Sequence, residues 1–159
     1  MLFRSDRFTR YCERTIDHIG DLITIGCTIN EPNIVSLMGY LVGIFPPGKR
    51  GDLEGMGACN EHMKAAHRKA YDVIKAGPGD FPLGLCVAMG DWWAPESAQE
   101  ALVNTRHMHE GQFLECARGD DFVGVQAYSR TRLDENGAPT GPEAGVELRS
   151  EEHTSELQS

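Results

Sequence analysis

Apolar positions alternate along this chain between two rhythms. From Asp6, residues Phe8, Tyr11, Cys12, Ile16 and Ile19 fall at helical spacing, and Gly20 stands where a C-terminal cap belongs, so a helix is predicted to close there. The stretch ITIGCTIN then changes to a period of two, with Ile23, Ile25, Cys27 and Ile29 on one side and Leu22 extending the run. Pro32 ends the pairing, so the predicted strand stops at Asn30-Glu31-Pro32 and gives way to a long aromatic-bearing loop through GYLVGIFPPG. A second helical stripe comprises Met56, Cys59, Met63, Ala66, Ala70, Val73 and Ile74 and is closed by AGPGD. PLGLCVAM reads as a buried strand. Pro95 opens a helix whose apolar side includes Ala98, Leu102, Met108, Phe113 and Cys116, and DFVGVQAY supplies a third strand.

Strands that alternate with helices imply an α/β protein with parallel pairing through right-handed crossovers. A doubly wound sheet and an arc of a (β/α)8 barrel both satisfy this order, and periodicity does not separate them. No GxGxxG turn or GKS/T phosphate loop is present, which weakens a nucleotide site; GDLEGMG after Arg50 fits neither and reads as a flexible connection.

Composition narrows the class. With 159 residues, 40% hydrophobic and 25% charged, the chain suits one soluble globular domain. Its net charge of -9 argues against nucleic acid or an anionic membrane as partner, because those surfaces select clustered Lys and Arg. No apolar run approaches the roughly 20 residues of a membrane helix. No signal peptide is visible, and a cytoplasmic location is the expectation. Cys12, Cys27, Cys59, Cys86 and Cys116 are odd in number and scattered without a CxxC pair, which fits reduced, buried thiols better than a disulfide framework. His107 and His109 are two apart and His62 and His67 five apart, neither being the one-turn spacing of a helical metal pair, so no metal is expected.

The two ends differ from the rest. RSEEHTSELQS is polar without a periodic face, and its back-translation matches read-through of a short-read sequencing adapter. The opening MLFRS matches the reverse complement of the same adapter stem. Residues 1–5 and 149–159 are therefore expected to be non-native, and residues 6–148 to be an internal fragment of a larger domain.

TINEP followed by GYLVGIFPPG resembles the glycoside hydrolase family 1 β-glycosidases, which carry a T-x-N-E-P strand end and then a loop of this kind. The helices RFTRYCERTIDHIGD and AAHRKAYDVIK and the strand DFVGVQAYSR resemble that family in the same order. The resemblance implies a partial (β/α)8 TIM barrel, about strands four to six of eight with their helices, with chemistry at the C-terminal strand ends. It implies that Glu31 is the general acid/base, which protonates the departing glycosidic oxygen and later deprotonates water. Asn30 resembles the residue that hydrogen-bonds the sugar 2-hydroxyl, and Tyr128 the tyrosine that holds the nucleophilic carboxylate. Many members end the sixth strand in Asn-Tyr-Tyr where this chain has Gln126, Ala127 and Tyr128, and Gln126 joins the substrate-binding candidates. Trp92 and Trp93 serve equally well as a sugar platform or as loop anchors over the rim.

Retaining glycosidases need two carboxyl groups about 5 to 5.5 Å apart. The family's nucleophile stands in a T-E-N-G motif after the seventh strand. Glu135-Asn136-Gly137 imitates it, but no apolar strand precedes Glu135, and Asp134 to Gly137 with Pro139 is turn composition. Glu143 and Glu147 lie further into the same polar stretch, so the nucleophile is expected beyond Leu148. The resemblance thus implies a retaining β-glycosidase acting on a small carbohydrate, a β-glucoside or β-galactoside, without cofactor, of which this fragment alone is inert. Alternatives are another Asn-Glu-Pro barrel glycosidase of cellulase-like type, and a non-catalytic carbohydrate-binding module in which Tyr40, Trp92 and Trp93 stack on sugars.

Overall fold

The computed structural model describes residues 2–140. Glu143, Glu147, Leu148 and the segment 149–159 lie outside the described residues. The first helix, α1, spans Leu2–Ile19 and so crosses the boundary expected at Asp6. A 3-10 turn over Gly20–Leu22 leads to strand β1, Gly26–Asn30. This strand is shorter than the alternation predicts. Ile23 packs into the core from the preceding turn and Ile25 is exposed, so neither belongs to the ladder.

The long loop expected after Pro32 is instead largely helical. Pro32 occupies the first position of a short helix α2, Pro32–Ser36, which continues as a π-helical turn over Leu37–Val42. Proline has no N–H to lose at a helix start, and its fixed φ suits that position; the same residue that stops a strand therefore starts a helix here. Helix α3 spans Leu53–Ala76, capped by Asp52, whose Oδ1 accepts from the Gly55 N–H at 2.8 Å. The GDLEGMG segment thus supplies the cap and first turn of this helix rather than a flexible connection.

Strand β2, Leu83–Trp93, runs well past the expected PLGLCVAM and takes in both tryptophans, which accordingly stand in the strand rather than after it. A 3-10 turn over Glu96–Ala98 leads to α4, Gln99–Arg106, a π-helical turn His107–Gly111 and α5, Gln112–Cys116. Strand β3 covers Phe122–Leu133 and closes in a hairpin with β4, Pro139–Thr140. Pairing is parallel for β1 with β2 and for β2 with β3, as predicted, and antiparallel for the hairpin.

Side-chain alternation along β2 decides between the two architectures. Leu83 packs with Cys12 and Ile16 of α1 and with Ala70 and Ile74 of α3. Leu85 and Val87, on the same side of the strand, pack with Phe113 of α5 and the adjoining Ala117. Both crossovers therefore cover one face, and the strands follow sequence order β1-β2-β3 without reversal. A doubly wound sheet reverses its order and covers both faces. This sheet is an arc of a (β/α)8 barrel with Gly84, Cys86 and Ala88 on the inner face.

A buried network fixes β1 against this helical layer. Thr28 Oγ1 lies 2.6 Å from His67 Nδ1 and donates to the Gly84 carbonyl at 3.2 Å, so Nδ1–H is the donor to Thr28. His67 Nε2 stands 3.1 Å from Asp120 Oδ2, and Arg68 pairs with the same carboxylate. Burial and the neighbouring Arg68 charge push the imidazole down to about 4, leaving it neutral at ordinary pH.

The helical layer ends at β3. Val123 and Val125 pair with Leu85 and Val87 and so face the same side, but they stand exposed, Val125 at 59%. An apolar strand beside an unpaired sheet edge invites edge-to-edge association. Val125→Lys is expected to raise the fraction of chain eluting as monomer in size-exclusion chromatography at high concentration; an unchanged elution profile would place the association elsewhere.

Candidate active site

The site begins where β1 stops. Asn30 is opposite Cys86 in the ladder, and the Glu31 N–H donates to the Cys86 carbonyl at 2.8 Å. Glu31 then takes a left-handed conformation, φ 48° and ψ 54°, the sole non-glycine residue with positive φ among the described residues. Its own carbonyl accepts from the N–H groups of Ile34 and Val35, which opens α2. A non-glycine residue held there carries strain of order 1–3 kcal/mol, and such strain concentrates at functional positions. In this case it converts a strand into a helix within one residue and fixes the origin of the Glu31 side chain.

Asn33 secures that junction. Its side-chain Nδ2 donates to the Ala88 carbonyl at 2.7 Å, and its Oδ1 accepts from the Ala88 N–H at 3.3 Å. Ala88 follows Cys86 on the same face of β2, so the Asn33 amide extends the ladder after β1 has turned away. The amide is buried, as are Pro32 and Ser36.

Glu31 is half-buried. Its Oε1 has no solvent exposure and no hydrogen-bond partner among the described residues. The neighbouring Glu31 carboxylate, and after it burial, raise the Tyr128 phenol's pKa. Cys86 lies close by: burial first, then its contact with Cys27 and the Glu31 charge, push its thiol up to about 11. The structure therefore brings together two of the four residues singled out from the sequence, Glu31 and Tyr128. Asn30 is exposed at the edge of the sheet, and Gln126 pairs with Ala88 on the inner face with Oε1 buried and unpartnered.

A cavity of about 400 Å³ opens beside Tyr128, between α2 with its π-helical continuation, the end of β2 and the π turn at His107–Gly111. The fully buried Glu110 shapes one wall. Its Oε2 accepts from the Gly90 N–H and the Trp92 indole N–H, both at 3.2 Å, and its Oε1 accepts from Arg106 Nε at 3.1 Å. Trp92 in turn meets His109 edge-on, with ring centroids 5.4 Å apart, and burial lowers the His109 pKa. None of Asn33, Asn60, His109 and Glu110 was singled out from the sequence as a site residue. The signal available for Glu110 was one carboxylate between Met108 and Phe113 in an otherwise apolar stripe.

The aromatics of the binding-module alternative do not share a face. Trp92 lines this cavity, Tyr40 lines a separate one of about 380 Å³ between α1 and α3, and Trp93 is exposed with Arg132 stacked 5.4 Å from its ring. Glu135 stands exposed in the β3–β4 turn, where Asp134 Oδ1 accepts from the N–H groups of Asn136 and Ala138, each at 2.9 Å. The turn composition read from the sequence is thus a hairpin turn.

Comparison with known proteins agrees with this geometry. The Glycosyl hydrolase family 1 model matches residues 4–140. Beta-glucosidase A of Thermotoga maritima is 28% identical over 137 residues, which cover 83% of this chain and 30% of that enzyme. Beta-glucosidase A of Acetivibrio thermocellus is 31% identical over 97 residues, 60% of this chain and 21% of that one. The crystal structure of the β-glycosidase from Thermosphaera aggregans superposes with a TM-score of 0.74 at 27% identity, over 85% of this chain and 32% of that structure. The chain spans about 30% of the length of the first of these enzymes.

Proposed function

The chain belongs to glycosyl hydrolase family 1, and we propose that it carries the acid/base part of a retaining β-glycosidase active site, with Glu31 as the proton donor. One observation supports this above the others: Glu31 is held in a strained conformation at a parallel strand end, with a buried, unpartnered carboxylate oxygen and the Tyr128 phenol against it. A general acid requires these conditions: a fixed origin, partial exclusion of water and a free oxygen to carry the proton. In the first step Glu31 gives that proton to the glycosidic oxygen as the bond to the leaving alcohol breaks; in the second it takes a proton from the attacking water.

The second carboxylate lies outside the described residues on this reading. Glu110, buried beside the cavity, has both oxygens engaged by Arg106, Gly90 and Trp92, and Glu135 is in an exposed turn. Asn30 and Gln126 line the inner face for substrate hydroxyls, and Tyr128 orients carboxylates across the site. The substrate is a β-glucoside or β-galactoside. Residues 6–148 are the part that belongs to the barrel.

Two measurements test this. Sequencing the source DNA outward from the codons for residues 28–32 is expected to extend the reading frame past Leu148 into a strand ending Thr-Glu-Asn-Gly; a native stop codon directly after Ser159 contradicts the proposal. The 159-residue chain alone is expected to release no measurable aryl alcohol from aryl β-glucosides, and turnover that vanishes in Glu31→Gln would place the whole reaction within this chain.

A further inference from the structure

Past Asn30 the edge of β2 that faced β1 is completed by side chains. Backbone groups of alternate residues in a strand point toward the same neighbour. The Cys86 carbonyl takes the Glu31 N–H, and both backbone groups of Ala88 are taken by the Asn33 amide. The next group on this edge is the Gly90 N–H, and Glu110 Oε2 accepts it at 3.2 Å. The same oxygen accepts the indole N–H of Trp92, two residues on, also at 3.2 Å. Only glycine leaves room for this, because a Cβ at position 90 would lie 2.8 Å from Trp92 Nε1. The buried Glu110 thus grips the end of β2 by main chain and side chain at once, while Arg106 Nε meets its other oxygen at 3.1 Å.

The opposite edge of β2 carries β3, and the two strands change register at this same point. Met89 pairs with Ala127 and Asp91 with Arg130, so Tyr128 and Ser129 together face Gly90 alone. A two-against-one bulge of this kind re-aims side chains, and bulges are frequent beside active sites. Before it, Gln126 shares the inner face with Ala88, and Tyr128 is the last residue of β3 in phase with Gln126. After it, Arg130 and Arg132 stand beside Asp91 and Trp93 instead: Arg130 pairs with Asp91 at 2.6 Å, and Arg132 lies 5.4 Å from the Trp93 ring. The phase of β3 therefore changes directly after Tyr128, across from the residue that Glu110 holds. We infer that Glu110 is a positioning residue for Tyr128: by fixing Gly90 and Trp92 from one edge of β2 it sets the bulge on the other edge, and so keeps the phenol at the inner strand ends where Glu31 stands. The inference rests on the reading of those strand ends as a glycosidase site.

Two readouts on the 159-residue chain test it. Tyrosinate absorbance, taken as the difference from Tyr128→Phe, isolates the Tyr128 phenol, and amide hydrogen exchange isolates the Gly90 N–H. The phenol should titrate above an ordinary tyrosine because the Glu31 carboxylate opposes a second negative charge, and Glu31→Gln should remove that rise without touching Gly90. Glu110→Leu is expected to remove it as well and to speed Gly90 exchange by at least about tenfold. Glu110→Gln should restore both, since its amide oxygen can accept from Gly90 and Trp92 while its NH2 faces Arg106, a half-exposed side chain free to turn to water. Ile74→Ala, in the core between α1 and α3, lowers stability by another route and should leave both readouts unchanged. Where Glu110→Leu does not fold, Gly90→Ala gives the same test, because its methyl group displaces the indole from the carboxylate. A Tyr128 titration that stays raised in Glu110→Leu or Gly90→Ala, or that Glu110→Gln fails to restore, overturns the inference and leaves the role of Glu31 standing. An ordinary Tyr128 titration in the parent chain means that Glu31 and Tyr128 do not meet, and the inference then falls together with the strand-end reading beneath it.

Discussion

With Glu31 as the proposed general acid, Glu31→Gln in a complete barrel built on this segment is expected to lower kcat/KM for hexyl β-glucoside by about 10²–10⁴-fold, the range that a positioned general acid contributes. The loss should shrink as the leaving alcohol becomes more acidic. An alkoxide is a poor leaving group and needs the Glu31 proton as the bond breaks, whereas a dinitrophenolate departs unaided. For the dinitrophenyl glycoside the first step is then nearly unaffected, and the slow step becomes attack by water, for which Glu31 is the base. A small anionic nucleophile such as azide needs no base, and its addition is expected to restore turnover and yield the glycosyl azide. An equal loss across all leaving groups would reassign Glu31 to substrate binding, and no loss would remove it from the reaction.

What the sequence disclosed depended on how local each signal was. The stripe from Met56 to Ile74 requires only its own periodicity, and it became α3 with Met56, Ala66, Ala70 and Ile74 buried. The alternation in ITIGCTIN is equally local yet misleading, because Ile23 reaches the core from a turn and not from a strand. Pro32 was legible as a strand stop but not as a helix start, since the φ it enforces suits both; the left-handed turn at Glu31 decides between them. Strand β2 continues through Trp92 and Trp93 because β3 pairs with it as far as Arg132, a non-local reason that no window around PLGLCVAM contains. The candidate site divides in the same way. Glu31 and Asn30 stand in one pentapeptide, and Tyr128 entered by resemblance. Glu110 accepts from Gly90 and Trp92, 20 and 18 positions away, and Asn33 binds the Ala88 backbone 55 positions away, so these roles exist only once the strands and crossovers are assembled.

Asn33→Ala is expected to lower the stability of the chain by about 2–6 kcal/mol, as it leaves both backbone groups of Ala88 buried without their present partner at roughly 1–3 kcal/mol each. The Asn33 amide is a planar donor–acceptor pair, like a peptide unit, and its two bonds at 2.7 and 3.3 Å reproduce one further rung of a parallel ladder. Two substitutions test the need for both halves. Asn33→Asp keeps an acceptor for the Ala88 N–H but sets a carboxylate against the Ala88 carbonyl, and Asn33→Leu keeps the volume without either bond. All three variants should unfold at lower urea concentration. Asp and Leu should be no better than Ala if the amide's pairing is the essential feature. The same rung anchors the residue two positions after Glu31, so in a complete enzyme the loss should extend to kcat. Asn33→Ala and Glu31→Gln should then combine less than additively, because a misplaced acid has little left to lose when its proton is removed. Full additivity, or a stability loss below about 1 kcal/mol, would mean that water replaces the amide at Ala88 and that the left-handed turn at Glu31 is held by Pro32 and the Cys86 carbonyl alone.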